Sequence, residues 1–405
     1  MPRKAFESGS RAGIPLSVRE LIALDSCVKC GSCVDVCPVY VQTQQLETTM
    51  GEFYTNLKSS IRKGYGFLEI TTKPPGKSKE LSKEHSDHAY LCTLCGRCKV
   101  TCPAFIDTKE VRVAARGFMV EEGTYPGAMA RLADNLTGEH NIMGEPSEDR
   151  PVWVEDLREP PAHMYRKEKA KVVYFVGCVA SYFPMAQKIP QSFVEILDHG
   201  DVDFTILGEE EWCCGFPLIG AGMRAKAKEL MEHNLKKVED VGADSVVFAC
   251  PSCYHTWKEE YATNTTLFHA TQFLARLIEE GRIKFKELNS RVTYHDPCDL
   301  GRSSNVYDAP RKILRNIPGL EFVELDRNRE DCSCCGGGGN LEMVDPKLAS
   351  AIARSKIEEI QQTGATLVVT SCQQCVRTMG TYARRNKVPI EVIDITQLVH
   401  KALKR

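Results

Sequence analysis

The placement of cysteine constrains this chain more than any other feature. Nineteen of its 405 residues are cysteines, and ten of the eleven in the C-terminal half fall into two matching groups. The first is Cys178, the adjacent pair Cys213 and Cys214, then Cys250 and Cys253. The second is Cys298, the adjacent pair Cys334 and Cys335, then Cys372 and Cys375. Between the first cysteine and the pair lie 34 residues in one group and 35 in the other; between the pair and the C-x2-C lie 35 and 36. A spacing held that closely over about a hundred residues is an internal repeat, and a repeat decides architecture before local propensity does.

Strand-sized runs precede the cysteines. KVVYFVG (171–177), DSVVFA (244–249), RVTYH (291–295) and ATLVVTS (365–371) each end within three residues of one. Between them run amphipathic stretches that finish in glycine, MRAKAKELMEHNLKKVEDVG (223–242) and PKLASAIARSKIEEIQQTG (346–364), as helices covering a sheet do. Strand–helix alternation predicts a parallel sheet, and ligands collect beyond the carboxyl ends of its strands, where these cysteines fall. Inert core cysteines are common, but a core does not call for five at strand ends, twice. A cubane cluster uses four thiolates, one per iron, so five imply a different cluster or an exchangeable position. CCGGGG (334–339) fits that demand: adjacent thiols face one cluster on a turn without side chains, and glycine N–H groups reach sulfur. No Gly-Lys-Ser/Thr follows, which argues against a phosphate loop. The first repeat keeps one glycine, in WCCGFP (212–217).

The N-terminal third carries CVKCGSCVDVCP, with Cys27, Cys30, Cys33 and Cys37, and CTLCGRCKVTCP, with Cys92, Cys95, Cys98 and Cys102. Both read C-x2-C-x2-C-x3-C-P, the bacterial ferredoxin spacing for 4Fe–4S clusters. Three thiolates on one loop reach one cube and the fourth reaches the other. The expected sets are therefore Cys27, Cys30, Cys33 and Cys102, and Cys92, Cys95, Cys98 and Cys37. Structural zinc uses paired knuckles and four ligands in all, which two such runs do not suit. A long insertion, 38–91, separates the motifs, and its segment TTKPPGKSKELSKE (71–84) reads as a surface loop.

A net charge of -2, with 26% charged residues, carries no nucleic-acid footprint. No apolar run reaches the ~18 residues of a bilayer span. The opening MPRKAFESGSRAG lacks the apolar region of a secretory signal. These features predict a cytoplasmic chain whose cysteines bind metal rather than form disulfides.

GC (177–178), EWCCGFPLIGAG (211–222), CPSC (250–253), HDPCDLGR (295–302), CCGGGG and SCQQC (371–375) resemble the CCG cysteine-rich domains of heterodisulfide reductases. With the ferredoxin-type motifs ahead of them, residues of about 20 to 400 resemble the catalytic, D-type subunit of the membrane-linked enzymes. The resemblance implies a mostly helical, ferredoxin-like two-cluster domain (1–165). Two pseudo-symmetric Rossmann-like α/β CCG domains with parallel sheets (166–288 and 289–405) would follow. It implies two cubane 4Fe–4S clusters feeding two noncubane 4Fe–4S clusters. Cys178, Cys213, Cys214, Cys250 and Cys253 would hold one noncubane cluster, and Cys298, Cys334, Cys335, Cys372 and Cys375 the other. The pair would face a disulfide across a gap, each delivering one electron; in methanogens that substrate is the coenzyme M–coenzyme B disulfide. Partners would be a membrane b-type cytochrome or a flavoprotein donor, with the chain held at the inner face of the membrane only through a partner. Related subunits of glycolate and lactate oxidation systems relay electrons, which is the alternative function; their CCG motifs are often degenerate, and here all ten positions are intact.

Other residues carry weaker signals. Cys332 reads as a packing residue or an alternative ligand. His255 and His295 adjoin candidate ligands and read as hydrogen-bond partners of sulfur or as proton donors. Arg302 and Arg377 either meet an anionic substrate or brace acidic surfaces, and Trp212 and Trp257 read as packing residues.

Overall fold

In the computed structural model, which describes residues 16–65, 83–157 and 167–404, the alternation becomes two four-stranded, all-parallel sheets. Strands β1 (Val172–Phe175), β2 (Phe204–Ile206), β3 (Ser245–Phe248) and β4 (Thr266–His269) stand in the order β2-β1-β3-β4. Strands β5 (Ser290–His295), β6 (Leu320–Val323), β7 (Leu367–Thr370) and β8 (Glu391–Asp394) repeat it as β6-β5-β7-β8. The expected strands are the central pair of each sheet. β1 and β7 are buried along their whole length, as strands covered on both faces must be. The flanking strands FTI, TLFH, LEFV and EVID are short or mixed in polarity, too weak a pattern to read alone.

Alternate residues of one strand point to opposite faces, and β1 uses this to serve two cores. Val173 and Phe175 join Val246 and Phe248 of β3 in a core shared with the N-terminal helices Met50–Tyr65, Lys83–Tyr90, Thr108–Glu121 and Gly127–Gly138. Tyr174 and Val247 join Tyr294 and Val369 of the second sheet in another. The two α/β units pack pseudo-symmetrically: helix Pro184–His199 lies on Ile395–Ala402, and helix Ala270–Glu279 on Asp308–Asn316. The repeat extends to the caps. His269 and Asp394 end β4 and β8 and close matching capping boxes with Gln272 and Gln397, each satisfying amide groups the helix start leaves free.

Both expected covering helices are present, as Arg224–Val241 and Pro346–Gln361; the first stops at left-handed Gly242 (φ +70°). Asp345 caps the second through the Leu348 amide. The opening stretch 1–13 lies outside the described residues, as does 71–84 apart from Lys83 and Glu84, which open the helix Lys83–Tyr90. Among the described residues no helix is long and apolar enough to cross a membrane.

Candidate metal centres

Chain order reverses on either side of β1 and β3, and again at β5 and β7. Such a switch point leaves a crevice beyond the carboxyl ends of the strands, and the cysteines occupy it. Gly177, at φ +82°, turns the chain from β1 into the short helix that starts at Cys178. Cys213 and Cys214 follow β2, while Cys250 and Cys253 bracket the start of helix Pro251–Glu260 after β3. All five are buried. Thiol-to-thiol hydrogen bonds run from Cys178 to Cys213, on to Cys214, to Cys253 and to Cys250. In the second set Cys335 Sγ lies 3.2 Å from Cys375 Sγ, and Cys335 and Cys375 also bond to Cys334 and Cys372 respectively. Cys298 stands against Cys334.

Crowding splits the protons within each adjacent pair. Hydrogen bonds from Cys213 and Cys253 hold the Cys214 thiol down at about 6. The bond to Cys335 pushes Cys334 up to about 12, and bonds from Cys334 and Cys375 hold Cys335 well below the thiol range. The second cysteine of each pair is thus the readier thiolate, the form that binds metal. Gly215 (φ +89°) and Gly336 (φ +91°) follow the two pairs in the same left-handed turn, so one glycine per pair is a backbone requirement.

Side chains inside the cysteine motifs join the two sets. Gln373, next to Cys372, donates to Val176 O at 2.8 Å and accepts from the Ala180 amide at 3.2 Å, on either side of Cys178. Ser252, between Cys250 and Cys253, donates to Asp299 Oδ2 at 2.8 Å, beside Cys298. Lys109 donates to the other oxygen of Asp299 at 2.8 Å. Burial would raise the Asp299 carboxyl, but Lys109 and then His255 hold it at about 2.

The ferredoxin-type loops turn through Gly31 and Gly96, both left-handed. A cavity of about 180 Å³ is lined by Cys27, Cys30, Cys33 and Cys102, with Cys98 and Tyr54 also in its wall. Cys37 lies beside Cys92 and Cys95, and burial pushes its thiol up to about 11. Burial, then Cys92 and Cys95, push Cys98 up as well, and its Sγ meets Thr108 Oγ1 at 3.0 Å. The loops differ in surroundings: Val28 to Gly31 are exposed, whereas Thr93 to Gly96 are buried.

The remaining glycines of CCGGGG have a role that local sequence does not disclose. A Cβ on Gly338 would stand 2.5 Å from Thr93 O, and one on Gly339 2.3 Å from Cys92 O. The second CCG loop therefore lies backbone to backbone on the second ferredoxin-type loop, and Cys95 and Cys334 share a hydrogen bond there. Gly336 donates its amide to Cys334 Sγ at 3.4 Å, a glycine-to-sulfur bond of the kind expected for the run.

The donor set fits thiolate-bound iron–sulfur clusters. Eighteen cysteines form these groups. The Tyr54 hydroxyl in the cavity wall, and Nε and Nη1 of neighbouring Arg112, are buried with no hydrogen-bond partner among the described residues. Buried donors left without acceptors suit an anionic group.

Several weaker readings change. Cys332 is more than a filler: its Sγ is 3.5 Å from His295 Nδ1 and 3.6 Å from Lys356 Nζ. It holds the position of Glu211 in the first repeat, two residues before the pair. There Glu211 pairs with buried Arg150 at 2.9 Å and accepts the Val176 and Gly177 amides. Burial would raise the Cys332 thiol; Lys356 and His295 bring it to about 7. His295 also groups with Cys335 and Cys375, their ligand atoms within 4.8 Å of one another. His255 Nδ1 lies 3.5 Å from Ser304 Oγ. Arg302 meets neither an anionic surface nor an open gap, because three backbone carbonyls claim it. Arg377 pairs with Glu342 and lies over the Phe183 ring. Trp257 is fully buried, but Trp212 is a partly exposed ring stacked between His140 and His233, at centroid distances of 3.5 and 3.6 Å.

Comparison with known proteins agrees with this layout. Residues 172–258 and 292–380 each match the cysteine-rich domain family, and residues 23–106 match the 4Fe-4S dicluster domain. The D-type subunit of the dihydromethanophenazine:CoB–CoM heterodisulfide reductase of Methanosarcina barkeri is 35% identical over 96% of both chains. A probable membrane-anchored ferredoxin of Chromohalobacter salexigens is 30% identical over 95% of this chain and 60% of its own. The EtfAB:quinone oxidoreductase of Syntrophomonas wolfei is 26% identical over 95% and 59%. The crystal structure of a hypothetical protein from Helicobacter pylori superposes on 96% of this chain and 73% of its own with a TM-score of 0.56 at 10% identity, a likeness of fold alone. Two cysteine-rich units behind a dicluster region, and identity sustained from end to end, lead to one conclusion: the chain belongs to the family of D-type heterodisulfide reductase subunits, which are iron–sulfur oxidoreductase components.

Proposed function

We propose that this chain is the catalytic subunit that reduces a mixed disulfide of the CoB–CoM type to two thiols. The reading is supported by one observation above others: both five-cysteine sets are complete, and Gln373 and the Ser252–Asp299 pair tie each to the other's first cysteine. Units 1–165, 166–288 and 289–405 divide the work. Cys27, Cys30, Cys33 and Cys102 hold one cubane cluster, and Cys92, Cys95, Cys98 and Cys37 the other. The two CCG sets hold the noncubane clusters, which together supply the electrons that an S–S bond needs: RS–SR′ + 2e⁻ + 2H⁺ gives RSH and R′SH. The protein's own side chains keep the two sets in register and bring the protons. His295 beside Cys335 and Cys375, and His255 two residues beyond Cys253, are the imidazoles placed for that task. Electrons enter from a partner, a membrane b-type cytochrome or a flavoprotein, with the chain in the cytoplasm or held to the membrane by that partner.

A second reading, an electron relay without disulfide chemistry, is favoured by the likeness to the membrane-anchored ferredoxin and the quinone oxidoreductase. Anaerobic, chemically reduced protein should release two thiols per disulfide consumed, and Cys334→Ser should abolish that release. No release, with electrons still reaching a redox partner, makes the relay the function. Iron analysis should find about sixteen irons per chain if each of the four clusters holds four; about eight would remove the noncubane pair.

A further inference from the structure

Two arginines, Arg116 fully buried and Arg302 half-buried, grip the second ferredoxin-type loop and have no carboxylate partner among the described residues. Arg116 donates through Nε and Nη2 to Ala89 O at 3.1 and 3.0 Å, and through Nη2 to Cys92 O at 2.8 Å. Its Nη1 donates to Gly220 O at 2.7 Å and Gly339 O at 3.1 Å. One guanidinium thus ties together the N-terminal region and both CCG units. Arg302 donates through Nε to Cys95 O at 2.7 Å, and through Nη1 to Glu330 O at 3.0 Å and Cys332 O at 2.7 Å. Of the other buried arginines, Arg150 has Glu211 and Arg311 has Asp296 and Glu324, while Arg112, near Tyr54 of the first cavity, meets Thr48 O and Met50 Sδ.

A guanidinium keeps its charge at any ordinary pH, and taking it from water without an anion is expensive. A four-thiolate cubane is anionic in both redox states and more so when reduced. Two cations fixed to the peptides of Cys92 and Cys95 therefore favour the reduced state there. No comparable burial surrounds the first loop, where Val28 to Gly31 face solvent and water screens charge. Arg302 also bridges Cys95 O to Cys332 O, across the junction where Cys95 meets Cys334.

We propose that Arg116 and Arg302 are positioning residues forming a cationic clamp that raises the reduction potential of the Cys92–Cys98 cluster and docks it on the Cys334 side. The second CCG set is then the electron entrance to the pair, reached from the Cys92–Cys98 cluster one electron per transfer, with no bond made or broken. This rests on the iron–sulfur ligand sets proposed above and is independent of disulfide reduction.

The test is an EPR-monitored redox titration of the anaerobic, cluster-loaded full chain, with no disulfide present. Arg302→Gln should cut the reduced-to-oxidised ratio of one cubane about tenfold at fixed potential, ~59 mV for a one-electron couple, and leave the other cubane in place. Arg302→Lys, which keeps the charge and loses the fork, should restore most of it. The pair Arg116→Gln and Arg116→Lys should behave alike. If a Gln variant loses its cluster while the Lys variant keeps it by iron content, charge is required and the clamp stands. Equal losses in Gln and Lys variants, unmoved potentials, or equal shifts in both cubanes overturn it. Failure of thiol release with the potential shift intact would sink the disulfide chemistry and leave the clamp.

Discussion

Gly339→Ala tests the contact between the second CCG loop and the second ferredoxin-type loop. Gly339 sits at φ +64°, and its missing Cβ would lie 2.3 Å from Cys92 O and 2.7 Å from Thr93 C. Both neighbours are backbone, so no side chain can swing away, and Gly339 O is also an Arg116 acceptor. A left-handed L-residue costs about 1–2 kcal/mol, and overpacking against a fixed wall costs roughly 1–3 kcal/mol more. The substitution should therefore destabilise by about 2–5 kcal/mol. Gly281→Ala is the control, because Gly281 has φ +70° and nothing within 4 Å of its would-be Cβ. It bears the backbone strain alone, and the gain from a stiffer unfolded chain is common to both. Thermal unfolding of the cluster-loaded protein at one scan rate reads the difference, with iron content as a second measure. Gly339→Ala should unfold at distinctly lower temperature than Gly281→Ala and lose iron first from the rear of the chain. Equal midpoints would refute the backbone contact, and with it this explanation of the tetraglycine run.

Two further outcomes follow from buried charge. Glu211→Gln strands Arg150 beside Cys178, which should cost about 3–5 kcal/mol; adding Arg150→Met should recover part of it in a double-variant unfolding cycle, and strict additivity would refute the pairing. Asp394 caps the last helix through the Thr396 amide at 2.9 Å, while its Oδ2 is buried with no partner among the described residues. Burial outweighs the Thr396 hydrogen bonds and raises its carboxyl from 3.8 to about 7. A raised acid stabilises the fold most below its unfolded value and loses that contribution as pH climbs through the folded one. Wild type should thus weaken as pH rises from 3.8 to about 7, and Asp394→Asn should flatten that slope; an unchanged slope in unfolding midpoints would reject the assignment.

Much of the architecture is legible in the sequence because its signals are local and doubled. β1, β3, β5 and β7 are β-rich runs that end beside cysteines, their covering helices are amphipathic with glycine at or just beyond their ends, and the same five cysteine positions recur. The outer strands are not legible, because three or four mixed residues gain their identity from pairing with β1, β3, β5 and β7 rather than from their own composition. The surroundings of Arg302 and Cys332 are illegible for a related reason: the carbonyls, Lys356 and His295 that define them come from other parts of the chain. The match of Cys332 to Glu211 is present in the aligned repeats, and so is HATQ (269–272) against DITQ (394–397).

Covalent spacing and hydrophobic period are properties of the chain itself, and they are enough to specify paired parallel sheets, thiols at strand ends and two iron–sulfur loops. How those parts meet is another matter. That Gly338 and Gly339 lie on Thr93 and Cys92, that Arg116 reaches three units at once, and that Gln373 enters the loop of Cys178 emerge only when segments hundreds of residues apart are packed. Close approach of neutral backbone and buried cation depends on what each excludes from water, and that is settled in three dimensions.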